Sequence, residues 1–290
     1  MDVLVIGALH HDVIVNAPRL PELDETLKGK SVAYALGGKG GNQALSAARH
    51  GAKTAFAGAI GSDEAGRSMK SQLQSGGVDL AQLTTNSLLA SGMSVAIITA
   101  NGDYGAVIVS GANEAINGEA IIIPPALKWL VLQNEVLPEV NLAVARKASK
   151  AGAKIILNAA PARELDKLLM NLVDIAIVNR VEAKAFSSSL LSNKTTIIET
   201  LGGDGLNIKI AGEIQFIPAF KVPVISSHGA GDCLVGALAA RFCAGDALSP
   251  ALLYASAAAA LHVSTNAQGR EIITPKDVFK LMESRHADGH

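Results

Sequence analysis

Short apolar segments that end in a polar residue alternate with segments of helical periodicity through most of the chain. Strands that alternate with helices in this way predict a doubly wound, mostly parallel sheet flanked by helices. Ligands bind such sheets at the carboxyl ends of the strands. The pattern therefore predicts an α/β fold whose site includes the polar residues at the strand ends, namely Glu135, Asn158, Asn179 and Thr200.

The boundaries of these elements follow from the apolar periodicity and from glycine and proline at their ends. Strands are expected over residues 3–8, 54–60, 129–133, 154–158, 175–179 and 196–200. Helices are expected from the glycine-rich segment to about residue 50 and over residues 64–75, 142–151, 164–172 and 276–286. We expect the chain to form a single domain over residues 1–290.

A second group of short strands does not belong to this alternation. Strand-like segments cover residues 32–35, 93–99 and 105–109, and a turn at Asn101, Gly102 and Asp103 joins the last two into a predicted β-hairpin. These pieces predict a small sheet that projects from the main domain. We expect it to act as a lid over the substrate, inserted from about residues 12–36 and 91–112.

Composition excludes several classes of protein. Of the 290 residues, 49% are hydrophobic and 18% are charged, which is typical of a compact globular enzyme. The net charge of −1 and the scattered Lys and Arg residues provide no basic surface for nucleic acid. The sequence shows no signal-peptide pattern and no apolar run of membrane-spanning length, and Cys233 and Cys243 lack metal-ligand spacing. These features predict a cytoplasmic protein without a nucleic-acid or membrane partner.

Residues 226–238 have the pattern of an anion site at the start of a helix. The first amides of a helix have no intrahelical acceptor and lie at the positive end of its dipole, so they can hold a phosphate. Gly229 and Gly231 lack the Cβ atoms that would keep an anion away from those amides. Asp232 would repel a phosphate, which suggests a base beside a transferring phosphoryl group. The alternative is an ordinary helix start in which Asp232 complements the dipole.

A second glycine-rich segment, residues 37–41, places Lys39 among four glycines directly before a predicted helix. Lys39 offers a cation in a pocket formed by backbone, and Asn42 could cap the helix or donate to a ligand. The segment matches neither the Walker pattern nor the dinucleotide fingerprint. The alternative is a flexible loop with a solvated lysine.

Near the amino terminus, His10 and Asp12 follow the first strand. In an extended segment these two residues share a face, while His11 points the other way. A metal site is disfavoured because adjacent histidines on a strand diverge and no third ligand is evident. We expect polar pocket lining here, with plain surface polarity as the alternative.

Taken together, five segments resemble the signatures of the ribokinase-like carbohydrate kinases, also called the PfkB family. They occur in the family's order over essentially the whole chain, at residues 37–44, 157–163, 179–182, 200–205 and 229–232. The resemblance implies an ATP-dependent kinase that transfers the γ-phosphoryl group to a primary hydroxyl of a small sugar, with D-ribose as the leading substrate and Mg²⁺ as cofactor. A nucleoside or another small sugar is the alternative substrate, and a non-catalytic sugar or nucleotide sensor is a further alternative.

The resemblance also assigns roles to individual residues. Asp232 would act as the base and the amides of Gly229, Ala230 and Gly231 would hold the phosphoryl oxygens. The residues matching the sugar-binding positions are Asp12, Gly38, Lys39, Asn42 and, nearby, Glu135, with His10 beside them. The residues matching the ATP-binding positions are Asn179, Thr200, Gly202 and Gly205, and Glu182 would organise Mg²⁺ indirectly.

Two positions depart from the family pattern. His10 stands where ribokinase has Asn, so a substrate other than ribose stays open. Ser226 replaces an Asp that helps to form a monovalent-cation site, and residues 264–269 align imperfectly with the rest of that site. The dependence on a monovalent cation is therefore left open. Because lids of this family often pair, a homodimer through the lid is also expected.

Overall fold

The structure is a computed structural model that describes residues 1–99, 101, 104–185, 194–210 and 212–287. Its strands are β1 (Val3–Ile6), β2 (His10–Ala17), β3 (Ser31–Gly37), β4 (Thr54–Gly61), β5 (Asp79–Asn86), β6 (Met93–Thr99), β7 (Tyr104–Val109), β8 (Trp129–Gln133), β9 (Lys154–Asn158), β10 (Ile175–Asn179), β11 (Thr196–Thr200), β12 (Gly205–Ile210) and β13 (Glu213–Pro218). Its α-helices are α1 (Lys39–Arg49), α2 (Glu64–Ser75), α3 (Pro138–Lys150), α4 (Lys167–Met170), α5 (Arg180–Ala185), α6 (Ala230–Cys243), α7 (Leu248–Val263), α8 (Ala267–Arg270) and α9 (Pro275–Ala287).

The main sheet has the strand order β13-β12-β11-β10-β9-β8-β1-β4-β5. All neighbours from β5 to β11 pair in parallel, and β12 and β13 add an antiparallel edge. The predicted doubly wound, mostly parallel sheet is therefore confirmed. The chain winds outward from β1 in both directions, so the strand order reverses between β1 and β8. Ligand crevices of open α/β sheets form at such a reversal.

A smaller sheet has the order β3-β2-β6-β7. Strands β6 and β7 pair antiparallel from Met93↔Val109 to Ile98↔Tyr104, which confirms the predicted hairpin. Gly102 and Asp103 of the predicted turn lie outside the described residues. Because β2 leaves the carboxyl end of β1 after three residues, the small sheet stands at the edge where the main sheet ends.

Apolar residues cover both faces of the main sheet. Val3 and Val5 of β1 pack in a cluster with α1, α2, α6 and α7, whereas Leu4 and Ile6 pack in a second cluster with α3 and α4. All four side chains are fully buried, as expected for a central parallel strand. Within the described residues, no helix is long and apolar enough to cross a bilayer.

Helices α1 and α6 approach each other closely because glycine lies at their contact. A Cβ atom on Gly236 of α6 would lie 2.5 Å from the carbonyl oxygen of Gln43 in α1. A Cβ atom on Gly40 would lie 2.7 Å from the Cα atom of Gly7, just after β1. The first turn of α1 therefore sits directly on the end of β1, with the first turn of α6 beside it.

Several predicted boundaries differ from the structure. The helix expected over residues 164–172 is only the single turn α4, because the Asp166 carboxylate accepts from the Leu168 amide and starts the helix there, while Leu165 is buried in the core. Helix α3 begins earlier than expected, at Pro138, whose fixed φ suits the first helical position. Strands β5, β12 and β13 were not predicted.

Candidate active site

The residues proposed for the base and the sugar lie near the carboxyl ends of β1 and β8, where the strand order reverses. Three segments bring them together: the loop after β8, the start of α1 and the start of α6. Strand β2 of the small sheet contributes Asp12 and His10. The residues are thus contributed by segments far apart in the chain.

Glu135 is held by the amino-terminal end of α1. The main-chain N–H of Lys39 donates to Glu135 Oε2 at 2.7 Å. Gly38 makes this possible with a φ of 83°, and a Cβ atom there would lie 2.5 Å from the Ala8 carbonyl oxygen. Burial raises the pKa of Glu135 to about 7, against the opposing charge of Lys39, and the nearby carboxylates of Asp232 and Asp12 add to the rise.

Asp232 is buried in the first turn of α6. Gln43 Nε2 donates to its Oδ1 atom at 2.9 Å. Burial raises the pKa of Asp232, while the Lys39 charge and the hydrogen bond from Gln43 act in the opposite direction. The carboxylate is therefore held in one orientation in a desolvated pocket beside a cation. In this position it can accept a proton as a base.

A chain of amide hydrogen bonds fixes Gln43. Asn141 Nδ2 donates to the main-chain carbonyl oxygen of Gln133 at 2.7 Å. The Gln133 side chain in turn donates from Nε2 to Gln43 Oε1 at 2.7 Å. Since the Gln43 oxygen is occupied, its NH₂ group must face Asp232. Neither glutamine was predicted as a site residue, although each is a polar residue in an otherwise apolar buried segment.

Asn42 does not cap α1, contrary to one of the two roles expected for it. The N-cap position is Gly38, and Asn42 lies in the second turn of the helix. Its side chain forms a hydrogen bond with Asp232 that lowers the pKa of the aspartate. Asn42 thus faces the candidate base from the same helix as Gln43.

His10 and Asp12 are buried on one face of β2, and His11 lies on the other, where it stacks on Tyr34 with ring centroids 5.4 Å apart. Burial and the Lys39 charge lower the pKa of His10, which is therefore neutral near pH 7. Its Nε2 atom has no hydrogen-bond partner among the described residues. Burial raises the pKa of Asp12, opposed mainly by His228, whose Nε2 lies 3.9 Å from Asp12 Oδ2.

A metal site at the histidines receives no support. The described part of the chain contains no group of three or more His, Cys, Asp or Glu residues placed to hold a metal ion. An unpartnered buried nitrogen on His10 instead offers a hydrogen bond to a ligand.

The start of α6 has the geometry expected of an anion site, with one exception. Gly229 adopts the left-handed region with a φ of 77°, and the helix begins at Ala230. The Ala230 amide donates to the Ser227 carbonyl oxygen at 3.2 Å, so it is already engaged, contrary to the role expected for it. A Cβ atom on Gly231 would meet no atom within 4 Å. The amides of Gly229 and Gly231 are the remaining candidates for an anion.

A cavity of about 280 Å³ opens beside this helix start. Three of the residues expected to bind ATP line it together with two from α6, namely Thr200, Gly202, Gly205, Ala230 and Gly231. Its apolar lining was not predicted. This lining comes from the β13–α6 connection and from α6 and α7, and it includes Phe220, Val222, Leu234, Ala260 and Val263. Asn179 does not line this cavity.

Asn179 and Glu182 form a reciprocal cap at the start of α5. Asn179 Oδ1 accepts from the amides of Val181 and Glu182 at 2.9 Å, and Glu182 Oε2 accepts from the Asn179 amide at 2.7 Å. Glu182 Oε1 also accepts from Asn179 Nδ2 at 2.9 Å. This is a capping box, which explains the residue spacing by local structure. The buried Glu182 carboxylate is consequently held in a fixed position.

Comparisons with known proteins agree with this fold. Residues 1–273 match the family described as pfkB family carbohydrate kinase. The chain is 31% identical to the ribokinase of Haemophilus influenzae, over 96% of this chain and 97% of that protein. It is 29% identical to the deoxyribokinase of Salmonella typhi, over 88% and 92% of the two chains. The structure of Arabidopsis thaliana ribokinase complexed with ribose and ATP superposes with a TM-score of 0.86 and 25% identity, over 97% and 98% of the two chains.

The raised pKa of Glu135 predicts a pH-dependent contribution to stability. Between its ordinary pKa of 4.5 and about 7 the folded protein holds a proton that the unfolded chain releases, so stability falls as pH rises through this window. Glu135→Gln should remove this loss, and its free energy of unfolding relative to the parent should rise by about 3 kcal/mol across the window.

Urea denaturation of the ligand-free protein at a series of pH values measures this difference. Glu213→Gln, at an exposed position on β13, is the control and should give a flat difference. A flat difference for Glu135→Gln as well would show that the pKa of Glu135 is not raised by folding.

Proposed function

The chain belongs to the pfkB family of carbohydrate kinases and is therefore a phosphotransferase with an alcohol group as acceptor, and from this premise we propose that it transfers the γ-phosphoryl group of ATP to a primary hydroxyl of a small sugar. D-Ribose is the first candidate substrate. The relative from Haemophilus influenzae is named a ribokinase, and the Arabidopsis thaliana structure contains ribose and ATP.

One observation carries this proposal, namely the position of Asp232 between two different environments. The two residues before it, Ala230 and Gly231, line the cavity proposed for the nucleotide. Asp232 itself contacts Gln43 and lies in the field of Lys39, on the side of the polar residues proposed for the sugar. A carboxylate at this boundary is where an acceptor hydroxyl would meet a phosphoryl group.

In the proposed reaction, the sugar hydroxyl gives its proton to Asp232 as its oxygen attacks the γ-phosphorus. The bond from that phosphorus to the bridging oxygen of ATP breaks, and ADP leaves. The amides of Gly229 and Gly231 face the charge that spreads over the phosphoryl oxygens. The protein contributes positioning and electrostatic stabilisation, which are the main requirements of phosphoryl transfer.

The sugar site is proposed to be a set of converging polar groups around Lys39. Its members are His10, Asp12, Gly38, Lys39, Asn42 and Glu135. Each hydroxyl of a polyol would pair with a buried partner, so a substrate lacking one hydroxyl leaves that partner unpaired. Such an arrangement favours steep selectivity among small sugars.

Magnesium is proposed to reach the site with ATP. The described residues contain no cluster of three carboxylate, His or Cys ligands, which fits an ion held chiefly by phosphate oxygens and water. Glu182 would act on that water, because its carboxylate is already fixed by Asn179. Mg²⁺ would neutralise charge on the phosphates and orient them.

His10 favours a second candidate substrate. Its buried Nε2 atom has no partner among the described residues, and its ring lies against Gly92, where a Cβ atom would be 2.8 Å from His10 Cδ2. The ring is thus proposed to offer its Nε2 atom to the substrate for a hydrogen bond. Since one relative is named a deoxyribokinase, 2-deoxy-D-ribose is the second candidate, with nucleosides and other small sugars behind it.

A homodimer through the small sheet is also proposed. Val13 lies opposite Tyr34 and Val95, and Val95 lies opposite Val107, so these four side chains share one face. Asp12, opposite Ser94, is on the other face. Tyr34 and Val107 are 65% and 67% exposed, and an apolar sheet face of this kind suits a second copy of the same sheet.

Removing the proposed base tests the chemistry. Asp232→Asn keeps the size of the side chain but cannot accept the proton, and kcat should fall about 100-fold or more. ADP release at saturating ATP and sugar measures it, with Asp166→Asn at the distant cap of α4 as a control that should retain activity. Activity of Asp232→Asn close to that of the parent would refute this role, and a parent inactive on every sugar and nucleoside would favour the sensor alternative.

The role of His10 can be tested separately. His10→Asn should shift the ratio of kcat/KM values towards D-ribose relative to 2-deoxy-D-ribose, because the hydrogen-bond donor changes position while the base stays intact. The measurement is a panel of pentoses, hexoses and nucleosides assayed with both proteins. Identical relative rates across the panel would show that His10 does not select the substrate.

The dimer proposal predicts the effect of a charge on the exposed sheet face. Val107→Lys should convert a dimeric parent into a monomer, because a buried unpaired ammonium opposes association. Light scattering after size-exclusion chromatography measures the mass. Ile214→Lys on β13, where the parent side chain is 68% exposed compared with 67% for Val107, is the matched control. A monomeric parent, or a dimeric Val107→Lys variant, would contradict the proposal.

A further inference from the structure

The guanidinium group of Arg270 lies in a cluster of main-chain carbonyl oxygens. Arg270 Nε donates to the carbonyls of His262 and Thr265 at 2.8 and 3.0 Å. Its Nη2 donates to the Ser226 carbonyl at 2.9 Å, and its Nη1 reaches the His228 carbonyl at 3.3 Å. Four carbonyl oxygens from two separate segments therefore converge on one side chain.

The electrostatics of this cluster require a cation. His262 lies in the last turn of α7 and Thr265 just beyond it, where the negative end of the helix dipole lies. The carbonyls of Ser226 and His228 add two more negative dipole ends. Rings of carbonyl oxygens are ordinary ligands of alkali cations, and here a guanidinium, which keeps its charge in proteins, takes that place.

The His228 carbonyl, which contacts Arg270, belongs to the same peptide unit as the Gly229 amide of the proposed anion site. The carbonyl of His228 and the N–H of Gly229 belong to a single planar unit and point in opposite directions. His262 Nε2 donates to this carbonyl at 2.9 Å, on which Arg270 also converges. Holding the carbonyl on the α7 side therefore directs the Gly229 N–H away from α7, towards the start of α6.

The loop before α6 is docked on α7 by its main chain as well. The amides of Ile225 and Ser226 donate to the Val263 carbonyl at 2.8 and 3.1 Å. These bonds fix the beginning of the loop, whereas Arg270 and His262 fix its end at His228. Gly229 follows in the left-handed conformation, and its own carbonyl accepts from the Cys233 amide at 2.9 Å.

We propose that Arg270 is a positioning residue that serves as a built-in cation: it fixes the His228–Gly229 peptide so that the Gly229 amide faces the transferring phosphoryl group, and the chain needs no added monovalent cation. This inference rests on the proposed function, since it assigns a task to the anion site of the kinase. It assigns Arg270 no contact with either substrate.

The experiment compares the parent with Arg270→Gln, which removes the charge, and Arg270→Lys, which keeps it. The parent should give equal rates in sodium, potassium and choline salts at constant ionic strength. Arg270→Gln should lower kcat roughly 10- to 100-fold with little change in the KM for sugar, because an oriented donor is lost in the transition state. Potassium or guanidinium should restore part of that activity, and Arg270→Lys should retain more activity than Arg270→Gln.

Amide hydrogen exchange provides a readout that does not depend on catalysis. The Gly229 amide should exchange faster in Arg270→Gln than in the parent, with thermal melts showing that all variants fold. The matched control is Lys147→Gln, because Lys147 Nζ donates to the carbonyls of Gly118 and Ile121 at 3.1 and 3.3 Å, away from the site. It should alter neither the cation response nor exchange at Gly229.

Three outcomes would overturn the inference: strong potassium activation of the parent, unchanged kcat in Arg270→Gln, or unchanged exchange at Gly229. A parent that phosphorylates nothing in the substrate panel would instead refute the proposed function. Exchange at Gly229 would still report in that case whether Arg270 fixes the peptide, so the two failures are distinguishable.

Discussion

The close contact between the amino-terminal halves of α1 and α6 is the constraint on which the site depends. It exists because glycine stands where any side chain would push the helices apart, at Gly236 against the main chain of Gln43. The side-chain amide of Gln43 can then donate to Asp232. Gln133 of β8 donates to the oxygen of the same amide and fixes its orientation. The glycines therefore set the distance between helices, and the buried amides set the direction of the carboxylate.

Three carboxylates, Asp12, Glu135 and Asp232, lie near one another, and Lys39 acts on the last two. Burial raises the pKa of each. Concentrating like charges in a desolvated space costs stability, and Lys39 offsets only part of that cost. A ligand that donates several hydroxyl hydrogens to these oxygens would relieve the remainder. The proposed sugar site is thus electrostatically unfavourable when empty, which is the expected trade between stability and function.

Much of this organisation could be predicted from the sequence, for identifiable reasons. The parallel strands have continuous apolar runs and polar ends, so β4, β8, β9, β10 and β11 were located nearly to the residue. Strands β12 and β13 were missed because an antiparallel edge, exposed on one side, has a weaker apolar pattern. The lining of the cavity proposed for the nucleotide was missed because Phe220 and Val263 are ordinary apolar residues, and only the tertiary fold brings them together. Arg270 gave no signal, since its partners are carbonyl oxygens that every residue has.

The two glycine-rich segments solve the same local problem with different results. Gly38 and Gly229 each precede a helix with a positive φ, of 83° and 77°, and only Gly229 is in the left-handed helical conformation. At α1 the exposed amide of Lys39 is taken by a carboxylate of the protein itself, Glu135. At α6 the carboxylate of the first turn, Asp232, accepts from the Gln43 side chain and does not cap the amides of its own helix. The first helix start is therefore occupied by a carboxylate of the protein itself, whereas no side chain of the described residues caps the second.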